Sequence, residues 1–561
     1  MKSVSKSTTY SLTSVATVIL LALNLYVTKV FVVLGSPMLF TMALIVELVL
    51  LITFLYNVLR ALIKPEKIIK SLVVSAWNGL MTNDYVKQFR RSKLPLIMWG
   101  RRRFKRNSRY GLPLTITLLI SAFFLFNFLG VLITVTNKGT LTQIDTRVLN
   151  LMPSLRTPIQ TTFLRIVTSL ANTQTTILLV MVMAGVFWLK HQRLVAALII
   201  VVATGQEIIT EVFKILVHRP RPGITLRLIK EDSYSFPSGH VVRATILFGL
   251  LAYLIYTSYT STKARVVTIF VYLLTIFLVA VSRIYLGVHY PTDVWGSFLL
   301  GTALLTLIVG AVEIHSRYEI GRGKRLEFSN RSLLVIPGLL LVFAIIASPF
   351  LVPIHQVRET PMYKSLQTID KKSISKLPLY SETLTGSRME PISFIYVGSE
   401  NQIVSTFEHH GWYRADKSTI SNTLKAIAVG FQGKQYLSAP VTPSYLNYKP
   451  ENIAFQLPTA THSLRQRHHT RLWRTDYILS DGRQIWVATA SFDEGIEFVG
   501  AAMLPTHHID PNIDGERSFI IKSLGLKNNL VTAVQPQLGK NASGDSFFTD
   551  GKAELAFLTS K

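Results

Sequence analysis

Nine stretches of some 20 mostly apolar residues, at 12–35, 38–62, 112–136, 170–189, 193–217, 240–259, 264–282, 292–314 and 333–353, constrain this chain more than any other feature. About 20 apolar residues in a helix cross the roughly 30 Å of a bilayer's hydrocarbon, and a helix satisfies its own backbone polar groups there. The sequence therefore predicts an all-α integral membrane helical bundle of about nine transmembrane helices. A composition of 49% hydrophobic and 16% charged residues over 561 positions agrees. The first run, Val15 to Leu34, has Asn24 and Lys29 as its only strongly polar residues and is too long for a signal-peptide core, so it is read as a retained anchor.

The formal net charge of +28 resembles that of a nucleic-acid binder, but its distribution excludes that reading. From residue 355 onward, 22 Lys+Arg face 19 Asp+Glu, which leaves +25 on the first 354 residues. The excess sits between apolar runs, at Lys64 to Arg109 with its cluster Arg101-Arg102-Arg103-Phe104-Lys105-Arg106, at 190–193, at 263–265 and at 317–331. All fall on one side if the spans alternate, and the positive-inside rule makes that side cytoplasmic. The N-terminus is then inside and residues 355–561 are outside. Trp77, Leu80, Met81, Phe89, Trp99 and Phe104 among the basic residues suit a helix lying on anionic lipids, the alternative being a plain topology anchor. No nucleic-acid partner is expected. Zero cysteines exclude disulfides, thiol nucleophiles and thiolate metal sites.

The expected organisation is an N-terminal transmembrane hairpin (1–62), a basic cytoplasmic interfacial segment (63–111), a membrane core (112–315) with an outer connector at 141–165, a basic loop and last helix (316–354), a tether (355–390) and an extracytoplasmic soluble α+β domain (391–561). In that domain Gln484 to Ala490 alternates as a strand, Asp481-Gly482 marks a hairpin and Thr419 to Val429 reads as a helix.

Three segments at the ends of apolar runs carry chemistry: Lys214 through Arg221-Pro222, then Pro237-Ser238-Gly239-His240, then Ser282-Arg283 through His289 and Asp293. Lys214, Arg221 and Arg283 supply the positive charge that transfer of a phosphoryl group needs; arginines merely snorkelling to headgroups are the alternative. Ser238 is placed as the N-cap of the helix that begins beside Gly239, whose amides favour an anion. His240 stands there as a general acid. His289 and Asp293, four apart with Pro291 between, approach one another, so that the carboxylate fixes the tautomer and leaves the other ring nitrogen nucleophilic. A metal site on this pair is disfavoured by its cationic neighbours. Arg243, one helix turn beyond His240, contacts either a second phosphate or headgroup, or an acid such as Glu207 or Glu211.

Taken together, Lys214-x6-Arg221-Pro222, Pro237-Ser238-Gly239-His240 and Ser282-Arg283-x5-His289-x3-Asp293 resemble the three-part signature of the type 2 phosphatidic acid phosphatase superfamily, over about 112–315. The resemblance implies a six-helix core in which Lys214, Arg221, Ser238, Gly239 and Arg283 hold phosphate, His240 is the acid, His289 the nucleophile and Asp293 its partner, with no metal or other cofactor. Residues around 400–525, with His409-His410-Gly411-Trp412, His468-His469 and His507-His508, resemble the LssY C-terminal-like domain that accompanies such phosphatases in bacteria. Its His pairs, with Asp510, Asp514 and Glu516, form either a metal or catalytic cluster or ordinary hydrogen-bonding positions.

The expected function is hydrolysis of a terminal phosphate of a lipid phosphate or diphosphate (undecaprenyl diphosphate, phosphatidate, phosphatidylglycerol phosphate or a lipid A phosphate) at the outer leaflet of a bacterial inner membrane. Two other classes stay open: a lipid-phosphate binding or transport protein without turnover, and a protein whose main role lies in the outer domain.

Overall fold

The computed structural model describes residues 95–105, 111–189, 191–318, 335–355, 363–431, 434–459, 466–499, 504–532, 539–541 and 544–558, with single positions between 75 and 84. The expected spans at 12–35 and 38–62, and most of 63–94, lie outside the described residues. Among the described residues, contacts group those of 121–309, 335–497 and 506–558 into one unit and those of 95–120, 310–318 and 498–505 into another. Helix α1 is Pro95–Arg103, in the basic segment.

Among the described residues five helices are long and apolar enough to cross a membrane. They are α2 (Leu112–Thr136), α6 (Arg193–Val217), α7 (Gly239–Ser258), α8 (Thr262–Tyr285) and the first 24 residues of α9 (Pro291–Tyr318). Helices α4 (Pro158–Ser169) and α5 (Thr173–Leu189) are long and apolar enough only as a pair, and they meet at a 44° bend, as in a broken span or a re-entrant loop. The run expected from residue 170 is thus one limb of a bent pair, because the helix breaks at Leu170–Asn172 and the Asn172 side chain accepts from the Thr173 amide. The expected outer connector is α3 (Thr140–Leu155) followed by the start of α4, where Pro158 occupies the first turn and the Thr157 hydroxyl accepts from Gln160 N–H. Helix α10 (Val335–Leu351) is shorter. The chain is a multi-pass membrane protein.

Apolar side chains and small residues set the packing. Leu179, Met183 and Phe187 of α5 interlock with Ala196 and Ile199 of α6 and with Val242, Ile246 and Leu250 of α7. A Cβ on Gly296 of α9 would lie 2.7 Å from the Phe236 ring, and one on Gly301 would lie 2.8 Å from Thr245. These glycines let α9 approach the loop and helix that carry Ser238 and His240. At the same end of the bundle Leu228, Ile229, Tyr285, Leu286 and Val288 cluster with Leu164 of α4 and Val352, and His355 N–H donates to the Leu228 carbonyl at 2.7 Å. The exit of α10 therefore lands beside the loops that precede α7 and α9.

The C-terminal region is α+β. Strand β1 (Arg388–Val397) lies between β4 (Gln484–Thr489), antiparallel, and β6 (Lys552–Phe557), parallel. Strand β4 pairs with the long β3 (Arg467–Leu479), which pairs antiparallel with β2 (Ile453–Pro458) and, near His468, with β5 (Ser491–Val499). Gly482, at φ +87°, turns the chain between β3 and β4. Helices α11 (Glu400–His409) and α13 (Ile513–Ser523) cover one face through Phe407, Ile403 and Ile520 on Phe394, Phe455 and Trp486; α12 (Ile420–Phe431) matches the helix read from sequence. The expected tether is folded from residue 363 onward, because Leu366, Ile374 and Leu377 bury themselves against Trp473, Ile485 and Val487 on the other face.

Replacing Gly296 by valine forces methyl groups into Phe236. Overpacking costs about 1–3 kcal/mol, more than the roughly 1 kcal/mol that losing a helical glycine returns. The Gly296→Val protein in detergent is expected to unfold several degrees below wild type. An unchanged midpoint would show that Phe236 yields without cost.

Candidate active site

The three segments converge. Lys214 sits in the last turn of α6, which ends where His218 takes a left-handed conformation and returns its N–H to the Lys214 carbonyl. The loop that follows doubles back, with Ser235 N–H on the Arg219 carbonyl, so that Arg219 and Arg221 both turn inward. Arg221 is fixed by its Nε on the Ser233 carbonyl (2.6 Å) and its Nη1 on the Val288 carbonyl (2.9 Å). From α8, Arg283 is 1% exposed and donates to Thr168 Oγ1 at 3.0 Å. Lys214 Nζ binds Glu211 (2.7 Å) and reaches Ser233 Oγ at 3.4 Å.

Between α8 and α9 the His289 ring is buried. Its Nε2 lies 3.2 Å from Arg221 Nη1, and its Nδ1 lies 3.5 Å from Asp293 Oδ2. A guanidinium only donates, so Nε2 is an acceptor and the ring proton belongs on Nδ1, facing the carboxylate. Burial, aided by the charge of Arg221, lowers the His289 pKa to about 3, which keeps the ring neutral with the Nε2 lone pair turned to the Arg221 guanidinium. Burial also brings Arg221 down to about 10, still fully charged near neutrality. Asp293 has its own partners: Arg219 Nη1 at 2.5 Å, the Ser235 hydroxyl, and Tyr290 N–H at 2.8 Å.

Ser238 occupies the N-cap position of α7, but its hydroxyl makes no capping bond. Its N–H goes to Ser297 Oγ at 2.6 Å, and among the described residues its buried Oγ has no hydrogen-bond partner, nor does Arg283 Nε. Buried donors of this kind are costly unless a ligand meets them. His240 and Gly239 follow directly, both buried. Arg243 places Nε and Nη2 on Glu207 and Nη1 on the Ala171 carbonyl, so of the two arrangements expected from sequence the structure has the ion pair with Glu207.

Sequence reasoning passed over three site residues. Glu231 lies in the loop before Ser238 and accepts from Arg283 Nη2 at 2.5 Å, with Arg221 Nη2 at 3.5 Å. Burial alone would raise its pKa, but Arg283 and Arg221 override it and hold it at about 2, so the carboxylate is an anion held between two of the expected phosphate-binding arginines. Arg219 and Asp145 form the outer layer: Arg219 Nη2 binds Asp145 Oδ2 at 2.7 Å, while Asp145 Oδ1 accepts from Thr292 N–H at 2.9 Å, at the start of α9. A carboxylate in the apolar setting of α3 was the available signal. In the C-terminal domain the histidines disperse: His468 pairs with Glu516, His469 faces Asp493 and His508 faces Glu494. Among the described residues no three His, Asp or Glu side chains converge as a metal site. The His507 side chain lies outside the described residues.

Comparison with known proteins gives this geometry its class. Residues 194–316 match the PAP2 superfamily and residues 374–553 the LssY C-terminus family. The chain is 33% identical over 144 residues to phosphatidylglycerophosphatase B of Bacillus subtilis (strain 168), covering 25% of this chain and 70% of that one. It is also 33% identical over 124 residues to the bacitracin transport permease protein BcrC of Bacillus licheniformis, covering 21% of this chain and 56% of that one. A crystal structure of a transmembrane PAP2-type phosphatidylglycerolphosphate phosphatase from Bacillus subtilis aligns at 26% identity and a TM-score of 0.33, over 35% of this chain and 98% of that one. The protein belongs to the PAP2 superfamily, its membrane core joined to an LssY C-terminal domain. Membership of that family supports a phosphatase acting on lipid phosphates.

Glu231 holds two arginines with a carboxylate, and a phosphate that binds them would have to displace it. Glu231→Gln is expected to strengthen inhibition by inorganic phosphate by about tenfold, the size of one charge-assisted hydrogen bond. Unchanged inhibition would show that carboxylate and phosphate do not share these donors.

Proposed function

We propose that this protein removes the terminal phosphate of a membrane lipid phosphate through a phosphohistidine on His289. The observation that carries the reading is the placement of the buried His289 ring, with Nδ1 facing Asp293 and Nε2 turned to the Arg221 guanidinium. Arg221 and Arg283 take the equatorial phosphate oxygens as Glu231 swings aside, Lys214 adds a point charge, and Ser238 Oγ, the Gly239 amide and Arg283 Nε supply further donors. The Nε2 lone pair attacks phosphorus, the bond from phosphorus to the lipid oxygen breaks, and His240 protonates that oxygen. The imidazolium that forms on His289 shares its Nδ1 proton with Asp293. In the second step His240 takes a proton from water as its oxygen attacks phosphorus, and the bond to Nε2 breaks.

For Arg243, the two-point ion pair with Glu207 favours a bracing role over a contact to a second phosphate. For substrate, the name of the Bacillus subtilis relative favours a phosphatidylglycerol phosphate, with other lipid monophosphates and undecaprenyl diphosphate as the comparison set. We assign the site and the C-terminal domain to the extracytoplasmic face of a bacterial inner membrane, in a nine-span chain whose basic segment meets anionic lipids on the other side; the charge asymmetry of the loops supports this.

Purified protein should release phosphate from phosphatidylglycerol phosphate in mixed micelles. His289→Ala is expected to abolish release and His240→Ala to slow it by at least about a hundredfold, the usual scale of a lost proton donor. Rapid quenching should trap acid-labile protein-bound phosphate on wild type and none on His289→Ala. Full turnover by His289→Ala would overturn the assignment.

A further inference from the structure

The C-terminal domain docks on the same helix that braces the active site. Helix α3 carries Asp145 and Arg147, two positions apart and so on nearly opposite faces. Asp145, 1% exposed, turns to the membrane core: it caps the Thr292 amide at the start of α9 and holds Arg219, which in turn holds Asp293. Arg147, 2% exposed, turns to the domain. Its Nη2 lies 2.6 Å from Glu382 Oε2, its guanidinium lies 4.6 Å over the Tyr448 ring, and the Gly386 backbone comes so close that a Cβ there would sit 2.9 Å from Nη2. One turn on, Asn150 Nδ2 donates to the Tyr448 carbonyl at 2.8 Å.

We propose that the C-terminal domain is a positioning element for the reaction, acting through α3: Glu382 and Tyr448 hold Arg147, and α3 thereby holds Asp145 on Arg219 and the start of α9, which places Asp293 behind His289. This rests on the phosphohistidine reading, in which Asp293 stabilises the imidazolium that forms in the transition state and not in the free enzyme. Displacing α3 therefore lowers kcat and leaves substrate binding alone, because the donors to the phosphate come from α6, α7, α8 and their loops. Arg147, Asp145 and Glu382 are positioning residues; none touches the reacting atoms.

The test is the full-length protein with Glu382→Arg, which sets two cations against each other, and with the exchanged pair Arg147→Glu/Glu382→Arg. Glu382→Arg is expected to lower kcat about tenfold with KM within twofold of wild type, and the exchanged pair to recover at least half of that loss. Asp145→Asn, on the other face of α3, is expected to show the same kcat-selective loss. Should Glu382→Arg lower the unfolding midpoint of the domain tryptophans, Glu382→Gln is measured in its place and is expected to lower kcat about threefold. Wild-type kcat in Glu382→Arg, or in Glu382→Gln when that variant replaces it, overturns the proposal, as does a loss confined to KM. Absence of phosphate release or of trapped phosphohistidine in wild type would instead sink the catalytic reading beneath it.

Discussion

Buried positive charge is the constraint from which the rest of this site follows. Arg283 is 1% exposed, and Arg219 and Arg221 are little more accessible. An isolated buried cation is untenable, and the fold answers each with a carboxylate: Glu231 for Arg283 and Arg221, Asp293 and Asp145 for Arg219, Glu207 for Arg243. Two kinds of pairing result. Arg219 and Arg243 are held bidentately or between two acids and serve to brace the structure. Arg221 and Arg283 share one carboxylate from a loop, at 3.5 and 2.5 Å, whose place a dianionic phosphate takes in the proposed reaction.

The bundle places this arrangement at one end of the membrane. Helix termini deliver the charged side chains: the last turn of α6, the last turn of α8 and the first turns of α7 and α9. Close approach of Gly296 and Gly301 to Phe236 and Thr245 brings α9 against the Ser238 loop. In the proposed reaction a lipid phosphate would meet these helix ends with its headgroup while its tails stay among the spans.

Much of this was legible from sequence. Apolar runs located α2, α6, α7, α8 and α9, since span length is set by bilayer thickness. The spacing His289-x3-Asp293 foretold the contact, because the chain enters α9 just after His289 and Asp293 sits in the first turn of that helix. Partnerships between distant segments were not legible. Nothing local says that Glu231 reaches Arg283, 52 positions on, or that Asp145 reaches Arg219, 74 positions on. The break at Asn172 was hidden inside a continuous hydropathy signal, and the folded segment after residue 363 was hidden by its polar composition, with Leu366, Ile374 and Leu377 buried in the core and Ile369 and Tyr380 packed against it.

The central claim is that phosphate passes through His289 on its way to water. Stereochemistry at phosphorus tests it most directly. A lipid thiophosphate made chiral with oxygen isotopes is hydrolysed in isotopically labelled water, and the configuration of the released thiophosphate is read by NMR. Two successive in-line displacements, lipid oxygen to His289 and His289 to water, give overall retention. Inversion would mean that water attacks the lipid phosphate in a single step, with His289 as a base and not a nucleophile.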